Sequence, residues 1–185
     1  MSAAAPLIYP LAGLLAEPAG SERRYEIHGV RIVLPDDLRL MAPIDGRLRV
    51  TRTNRGVLVK AQLSTAIAGS CSRCLRDLEI PIRVEIAEEV LPAIDIATGR
   101  PVHADDEPEL ARLSDHHELD FGVLAGEAIS LDEPIAPLCE AACPGLCITC
   151  GERLGAGHAA HDDDAIDPRL EALRAFRVDG EGESE

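Results

Sequence analysis

The strongest constraint on this chain is a hydrophobic alternation of period two that repeats in successive segments. From Val57 onward, Val57, Val59, Ala61, Leu63, Thr65 and Ile67 share one face, with Lys60, Gln62 and Ser64 on the other. Leu78, Ile80, Ile82, Val84 and Ile86 repeat the pattern against Glu79, Arg83 and Glu85. Before them, Arg47 to Thr53 alternates Leu48 and Val50 with Arg47, Arg49 and Thr51. A strand places alternate residues on opposite faces, so each segment reads as a strand with one face on a core. Asn54-Arg55-Gly56 is a turn, and short links between successive strands predict an antiparallel meander. Pro81 removes a ladder donor and predicts that its strand lies at an edge. Val30 to Leu34 is a further short β-branched segment, stopped by Pro35-Asp36-Asp37.

The rest of the chain carries less pattern. Residues 1–22 are rich in Ala, Pro, Gly and Leu and read as a flexible arm, or one that docks on a partner. Ile94 to Ser114 reads as a long acidic loop. Asp120 is placed to cap a helix running to about Leu131, with Leu124, Ala128 and Leu131 on its apolar face. Asp167-Pro168 opens a second short helix with Leu170, Leu173 and Phe176 on its apolar face. Asp179 to Glu185 is an acidic tail. The predicted fold class is α+β: an antiparallel β-meander core with a few short helices and a C-terminal cysteine-rich, zinc-binding segment. The divisions are an arm over 1–22, a β domain with acidic loop and helix over 23–135, a zinc-binding segment and helix over 136–178, and the tail over 179–185.

The chain of 185 residues has a net charge of −15, which argues against a general nucleic-acid binder. Its distribution is uneven. Arg23 to Arg83 holds 12 basic and 6 acidic residues, a net of +6, which leaves −21 for the remainder. A bipolar surface of this kind meets an anionic partner on one side only. The apolar stretch Ala3 to Ala16 has no positive n-region and is broken by Pro6 and Pro10, so it does not read as a secretory signal. No apolar run is long enough for a membrane span, and a cytoplasmic protein is expected.

Six cysteines in a reducing compartment point to metal before disulfides. Cys139, Cys143, Cys147 and Cys150 lie within twelve residues, and four soft thiolates suit a tetrahedral zinc ion. Cys147-x2-Cys150-Gly151 has the form of a metal-binding turn, and Pro144-Gly145 supplies a reversal that folds the first pair onto the second. An iron–sulfur cluster is a rival, because Cys143-x3-Cys147-x2-Cys150 has radical-enzyme spacing. Thr149 stands where such enzymes carry an aromatic, and too little chain follows. Cys71-Ser-Arg-Cys74 lies between strands, not at the helix N-terminus that a redox pair needs. It reads as half a metal site, completed either by two of the C-terminal cysteines or by His158 and His161. Those two histidines, followed by Asp162 to Asp164, also read as a solvated polar loop. No catalytic constellation and no phosphate-cradling loop is evident, so neither an enzyme nor a small-molecule substrate is expected.

Taken in order, three stretches resemble one family. Cys71-Ser-Arg-Cys74-Leu-Arg, the run Pro134-Ile-Ala-Pro-Leu-Cys139 into Cys143-Pro-Gly-Leu-Cys147-Ile-Thr-Cys150-Gly151, and Ile166-Asp-Pro-Arg-Leu-Glu-Ala-Leu173 are similar to the bacterial and plastid YceD family. That family is linked to accumulation of large-subunit (23S) ribosomal RNA. Its zinc-type members often carry two further cysteines after the Cys-Gly turn, where this chain has His158 and His161. The resemblance implies a non-enzymatic factor in large-subunit biogenesis that binds ribosomal RNA, or a ribosomal protein of an assembly intermediate. Arg47, Arg49, Arg52, Arg55 and Lys60, on or beside one hairpin, are the candidate phosphate contacts. A zinc-stabilised protein–protein adaptor that binds no nucleic acid is the alternative.

Overall fold

The computed structural model describes residues 7–35, 37–102, 110–155, 157–159, 161 and 168–175. Its centre is a four-stranded antiparallel sheet formed by β2 (Glu22–Val30), β3 (Ile44–Arg52), β4 (Val57–Ser70) and β5 (Asp77–Val90), in that spatial order. Each strand pairs with its sequence neighbour, so the meander read from the alternation is the arrangement observed. The register puts the apolar set of every strand on one face: Ile27, Leu48, Val50, Val57, Val59, Leu63, Ile82 and Val84 are all buried.

The additional strand differs from its expected position. Pairing runs through Glu22–Val30, so of the segment Val30 to Leu34 only Val30 belongs to the strand, and residues 31–34 follow it. A register shift between Ile27 and Val30 coincides with Gly29 at φ 66°, a conformation glycine adopts without strain, and ends regular pairing there. Pro81 sits on β5, the edge strand, as its missing N–H requires. Its partner Ala66 turns its carbonyl away from β5 to accept from the Met41 amide at 2.8 Å. The Ala66–Pro81 pair is therefore non-hydrogen-bonded on the β5 side, and the proline nitrogen faces the open edge.

A second layer covers the buried face. β1 (Ile8–Pro10) pairs antiparallel with β6 (Glu118–Asp120), and α1 (Ala12–Leu15) follows β1 directly. Leu7, Leu11, Leu14 and Leu15 are buried in the same core as the sheet. The expectation of a flexible arm over 1–22 is thus corrected for residues 7 onward; residues 1–6 lie outside the described set. The spacing Leu11, Leu14, Leu15 is the i, i+3, i+4 pattern of a helix face. Tyr9 of β1 stacks against Tyr25 of β2 with ring centroids 4.5 Å apart, and meets Phe121 edge-on at 6.3 Å. Three of the four Phe and Tyr residues in the chain thus join its N-terminus, sheet and helix.

Helix α2 (Phe121–Leu131) begins where expected. The Asp120 carboxylate accepts from the Gly122 amide at 3.0 Å, meeting one of the orphan donors of the first turn. Its buried face is displaced from the expected one. Phe121, Ala125 and Ile129 are buried at i, i+4, i+8, while Leu124 and Ala128 are partly covered and Leu131 is 88 % exposed. In the loop after β5, the Asp95 carboxylate caps a local turn by accepting from the Ala97 and Thr98 amides and the Thr98 hydroxyl. The Thr98 hydroxyl first, then its amide, hold that carboxyl below the usual range. A 3-10 helix spans Pro168–Ala175, with Leu170 and Leu173 exposed instead of packed. Phe176, Asp162 to Asp164 and the tail Asp179 to Glu185 lie outside the described residues.

Gly46 on β3 shows how closely the sheet is packed. A Cβ at this position would stand 2.2 Å from the Gln62 carbonyl oxygen of β4, so backbone must move to admit one. Gly46→Ala is expected to cost about 1–3 kcal/mol in urea unfolding. Gly13→Ala, in α1 with nothing within 4 Å of its Cβ, is expected to leave stability unchanged or slightly raised.

Candidate metal centres and the cationic sheet face

The loop joining β4 to β5 is a tight turn built on Cys71-Ser-Arg-Cys74-Leu75-Arg76. The Leu75 amide donates to the Cys71 carbonyl at 2.9 Å, and the Cys71 amide to the Arg76 carbonyl at 2.8 Å. Leu75 takes φ 55°, which is unusual for a residue with a Cβ. Cys147-Ile-Thr-Cys150-Gly151-Glu152 repeats the same turn. Gly151 donates to the Cys147 carbonyl at 2.9 Å, Cys147 to the Glu152 carbonyl at 2.7 Å, and Gly151 takes φ 74°. In both turns the amide of the second cysteine points at the sulfur of the first. Amides of Cys74 and Cys139 bring the Cys71 thiol down to about 6. The Cys150 amide, then that of Thr149, lowers Cys147. Each turn is thus a two-sulfur claw whose leading cysteine favours the thiolate that metals bind.

A claw supplies two ligands and needs two more, and the structure completes the two claws separately. Cys71, Cys74, Cys139 and Cys143 converge with all four sulfurs within 4.8 Å of one another. Cys71 and Cys143 are 3.8 Å apart, and Cys74 and Cys139 are 3.7 Å apart. Zn–S bonds of about 2.3 Å in a tetrahedron put sulfurs about 3.8 Å apart, whereas a disulfide needs about 2.05 Å. None of the six cysteines is disulfide-bonded. Burial raises the Cys143 thiol, and hydrogen bonding with Cys143 pushes Cys139 up to about 12.

Cys147, Cys150, His158 and His161 form the second group, again within 4.8 Å. The Cys150 sulfur is 3.2 Å from His158 Nε2, and the two imidazole centroids are 5.0 Å apart. The single cage expected on Cys139, Cys143, Cys147 and Cys150 is therefore not what the chain builds. Gly145, at φ 86° and packed on the Arg73 carbonyl, turns the chain between the two groups. Its reversal separates Cys143 from Cys147 where sequence reading expected it to join them. Cys71 and Cys74, placed second in rank by sequence, are half of the buried group.

The first group is held by more than its sulfurs. The Ser72 amide donates to the Pro137 carbonyl at 2.8 Å, and Arg73 donates to the Cys143 carbonyl at 3.0 Å. Arg153 donates to the Cys74 carbonyl at 2.9 Å and the Leu75 carbonyl at 3.3 Å. These bonds stitch residues 137–153 to the β4–β5 loop.

The cations of the basic hairpin divide into two sets. Arg52 is internal to the fold: it donates to the carbonyls of Leu15 at 3.1 Å, Gly56 at 2.9 Å and Thr53. Arg55 is paired with Glu89 at 2.6 Å, and that hydrogen bond holds the Glu89 carboxyl below its usual range. Arg47 donates to Gln62, which in turn donates to Glu85 at 2.9 Å. The side chains of Arg49 and Lys60 make no hydrogen bond or ion pair among the described residues. They stand directly opposite each other on β3 and β4, and Arg24 of β2 stands directly opposite Arg49. Three cations thus cross the solvent face of the sheet in one row, Arg24 touching Glu22 at its outer end. Arg24 was not singled out from the sequence, because only the strand register reveals its alignment.

Among the described residues no helix is long and apolar enough to cross a membrane. An uncharacterized protein of Mycobacterium tuberculosis is 30% identical over 179 residues, covering 92% of this chain and 81% of that protein. One of Mycobacterium bovis matches to the same extent. One of Mycobacterium leprae is 29% identical over 127 residues, 69% of this chain and 56% of its own. No solved structure matches. Residues 59–177, a span that contains every cysteine and histidine of both groups, match the model of a family described as large ribosomal RNA subunit accumulation protein YceD. The chain belongs to the YceD family.

Proposed function

We propose that this protein is a non-enzymatic factor that supports accumulation of large-subunit (23S) ribosomal RNA by binding that RNA, or a ribosomal protein of an early assembly intermediate, in the cytoplasm. Family membership suggests the process. The observation that carries the RNA contact is the row Arg24–Arg49–Lys60. Like charges directly opposite on neighbouring strands destabilise a sheet, and an anion lying over the row would relieve that repulsion. Phosphates of an RNA backbone are such an anion. Arg47 flanks the row, whereas Arg52 and Arg55 serve the fold.

Zinc, on this reading, is held by Cys71, Cys74, Cys139 and Cys143 and acts as a clamp. The linked cysteines are 65 and 72 residues apart in sequence. Closing a loop of that length is worth about 4 kcal/mol in the chain-entropy picture. All four coordination positions are filled by thiolate, which leaves none open for a substrate.

The adaptor reading has one observation in its favour. Leu75 and Ile148, in the two claw turns, are 61 % and 93 % exposed, an apolar pair suited to protein docking.

The expected outcomes are these. Depleting the protein lowers the large subunit relative to the small in sucrose gradients; an unchanged ratio argues strongly against the proposal. The triple change of Arg24, Arg49 and Lys60 to Glu abolishes RNA cosedimentation. Neutralising each one alone lowers the salt slope of binding by about 0.7–0.9 per phosphate lost. Arg52→Ala, by contrast, is expected to cost about 1–3 kcal/mol of stability through its lost carbonyl partners with RNA affinity retained. Partners that survive nuclease treatment while RNA binding is undetectable would favour the adaptor. Finally, Cys143→Ser is expected to lose zinc and to expose the amides of Ser72 and of residue 143 to hydrogen exchange. Equal zinc content and equal protection would reject the clamp.

A further inference from the structure

We infer that Cys147, Cys150, His158 and His161 form a second, separate zinc site that exchanges its metal with solution while the four-cysteine site retains its own. The inference shares with the clamp only the identity of the metal, and it does not depend on the RNA contact.

Donor chemistry identifies the ligand class. Two thiolates and two imidazoles suit a borderline ion such as zinc, whereas calcium and magnesium require oxygen. Geometry supports a real site. The Cys147 claw has the same hydrogen bonds and a positive-φ residue at the same position as the Cys71 claw, and its Thr149 amide points at the Cys147 sulfur at 3.4 Å. Two histidines lie over its open side, with Cys150 and His158 Nε2 at 3.2 Å. The His158 amide is tied to the Gly155 carbonyl at 3.0 Å, which fixes the return of the chain.

Three differences from the first site set the exchange rate. Burial is the first: Cys71, Cys74 and Cys143 are buried and Cys139 half-buried, whereas in the second group only Cys147 is buried, His158 is half-buried and Cys150 is exposed. An incoming chelator or thiol therefore reaches the second site directly. The second difference is sequence span. Cys150 and His158 are only 8 residues apart, so the site opens by local motion of one short segment. Opening the first requires parting a β-hairpin loop from residues 137–153, with Arg73 and Arg153 bonds broken on the way. The third is ligand charge, because neutral imidazole replaces two of the four thiolates that hold the first ion.

Protein purified with zinc and freed of excess metal is mixed with the chromogenic chelator 4-(2-pyridylazo)resorcinol, and release is followed optically alongside total zinc by mass spectrometry. Two zinc ions per chain are expected, released in two phases of equal size, the fast one at least roughly tenfold faster. Cys150→Ser is expected to hold one zinc, to lose only the fast phase and to keep its thermal transition. His158→Cys keeps two ions and slows the fast phase, since a thiolate replaces an imidazole. One zinc per wild-type chain, a single release rate for both ions, or loss of both ions in Cys150→Ser would each overturn the inference. One zinc retained in both wild type and Cys150→Ser would do so while leaving the clamp intact. An unchanged ribosomal profile on depletion would reject the RNA role without touching either metal result.

Discussion

The whole arrangement depends on a sheet that is apolar on one face only. Each strand from β2 to β5 puts aliphatic residues inward and polar residues outward. At roughly 25 cal/mol per Å² of apolar surface buried, that face is the main source of stability available to the chain. With no Trp and few aromatics, large side chains cannot fill the space beneath it. Chain from distant parts of the sequence closes over it instead: β1 and α1 from the N-terminal end, β6 and α2 from beyond the acidic loop. Segments on both sides of the sheet in sequence are therefore committed to the core, and the outward face and strand ends are left for other work.

The claws are two solutions to one backbone problem. A turn that aims two sulfurs at one point needs a residue with positive φ just after the second cysteine. Gly151 meets that need at little cost. Leu75 meets it against its steric preference, which is the kind of local strain tolerated when surrounding structure over-determines the conformation. Here that surrounding structure is the β4–β5 ladder below and Arg153 above, whose guanidinium donates to the Cys74 and Leu75 carbonyls. The strained claw is accordingly the one embedded in the fold, and the glycine claw is the peripheral one.

The strands were legible because period two is imposed by backbone geometry and survives any context. The Asp120 cap was legible for the same reason, being a local hydrogen bond. The buried face of α2 was less so. Leu124, Ala128 and Leu131 compete with Phe121, Ala125 and Ile129 for the inner position, and only the location of Tyr9 and β5 decides between them. The N-terminal helix is a single turn between prolines, too short for its spacing to stand out from composition. The cysteine grouping was not legible, because closeness in sequence is not closeness in space. A claw uses its own two residues fully, so its other two ligands come from elsewhere; for Cys71 and Cys74 they lie more than sixty residues away. The cationic row was hidden for a related reason, since register places Arg24 beside Arg49 although 25 residues separate them.

Strand β4 carries both features of interest at opposite ends. Lys60 stands near its start, and Cys71 follows its last residue, Ser70. Eleven residues of extended chain span about 35 Å, so the cationic row and the first metal group are held far apart by one fully paired strand. Fourteen consecutive pairs with β5 make that spacer stiff. A phosphate backbone engaged at one end cannot touch the metal groups through the same short contact. On the proposed reading, the clamp would act by fixing what the far end of β4 presents, the exposed Leu75 and the folded 137–153 segment, and not by contributing to the anion contact. The family match begins at Val59, inside β4. It thus takes in Lys60 and the whole metal-bearing end while leaving Arg24 and Arg49 outside. Geometry and match together divide the molecule along one strand into an end defined by charge and an end defined by cysteine.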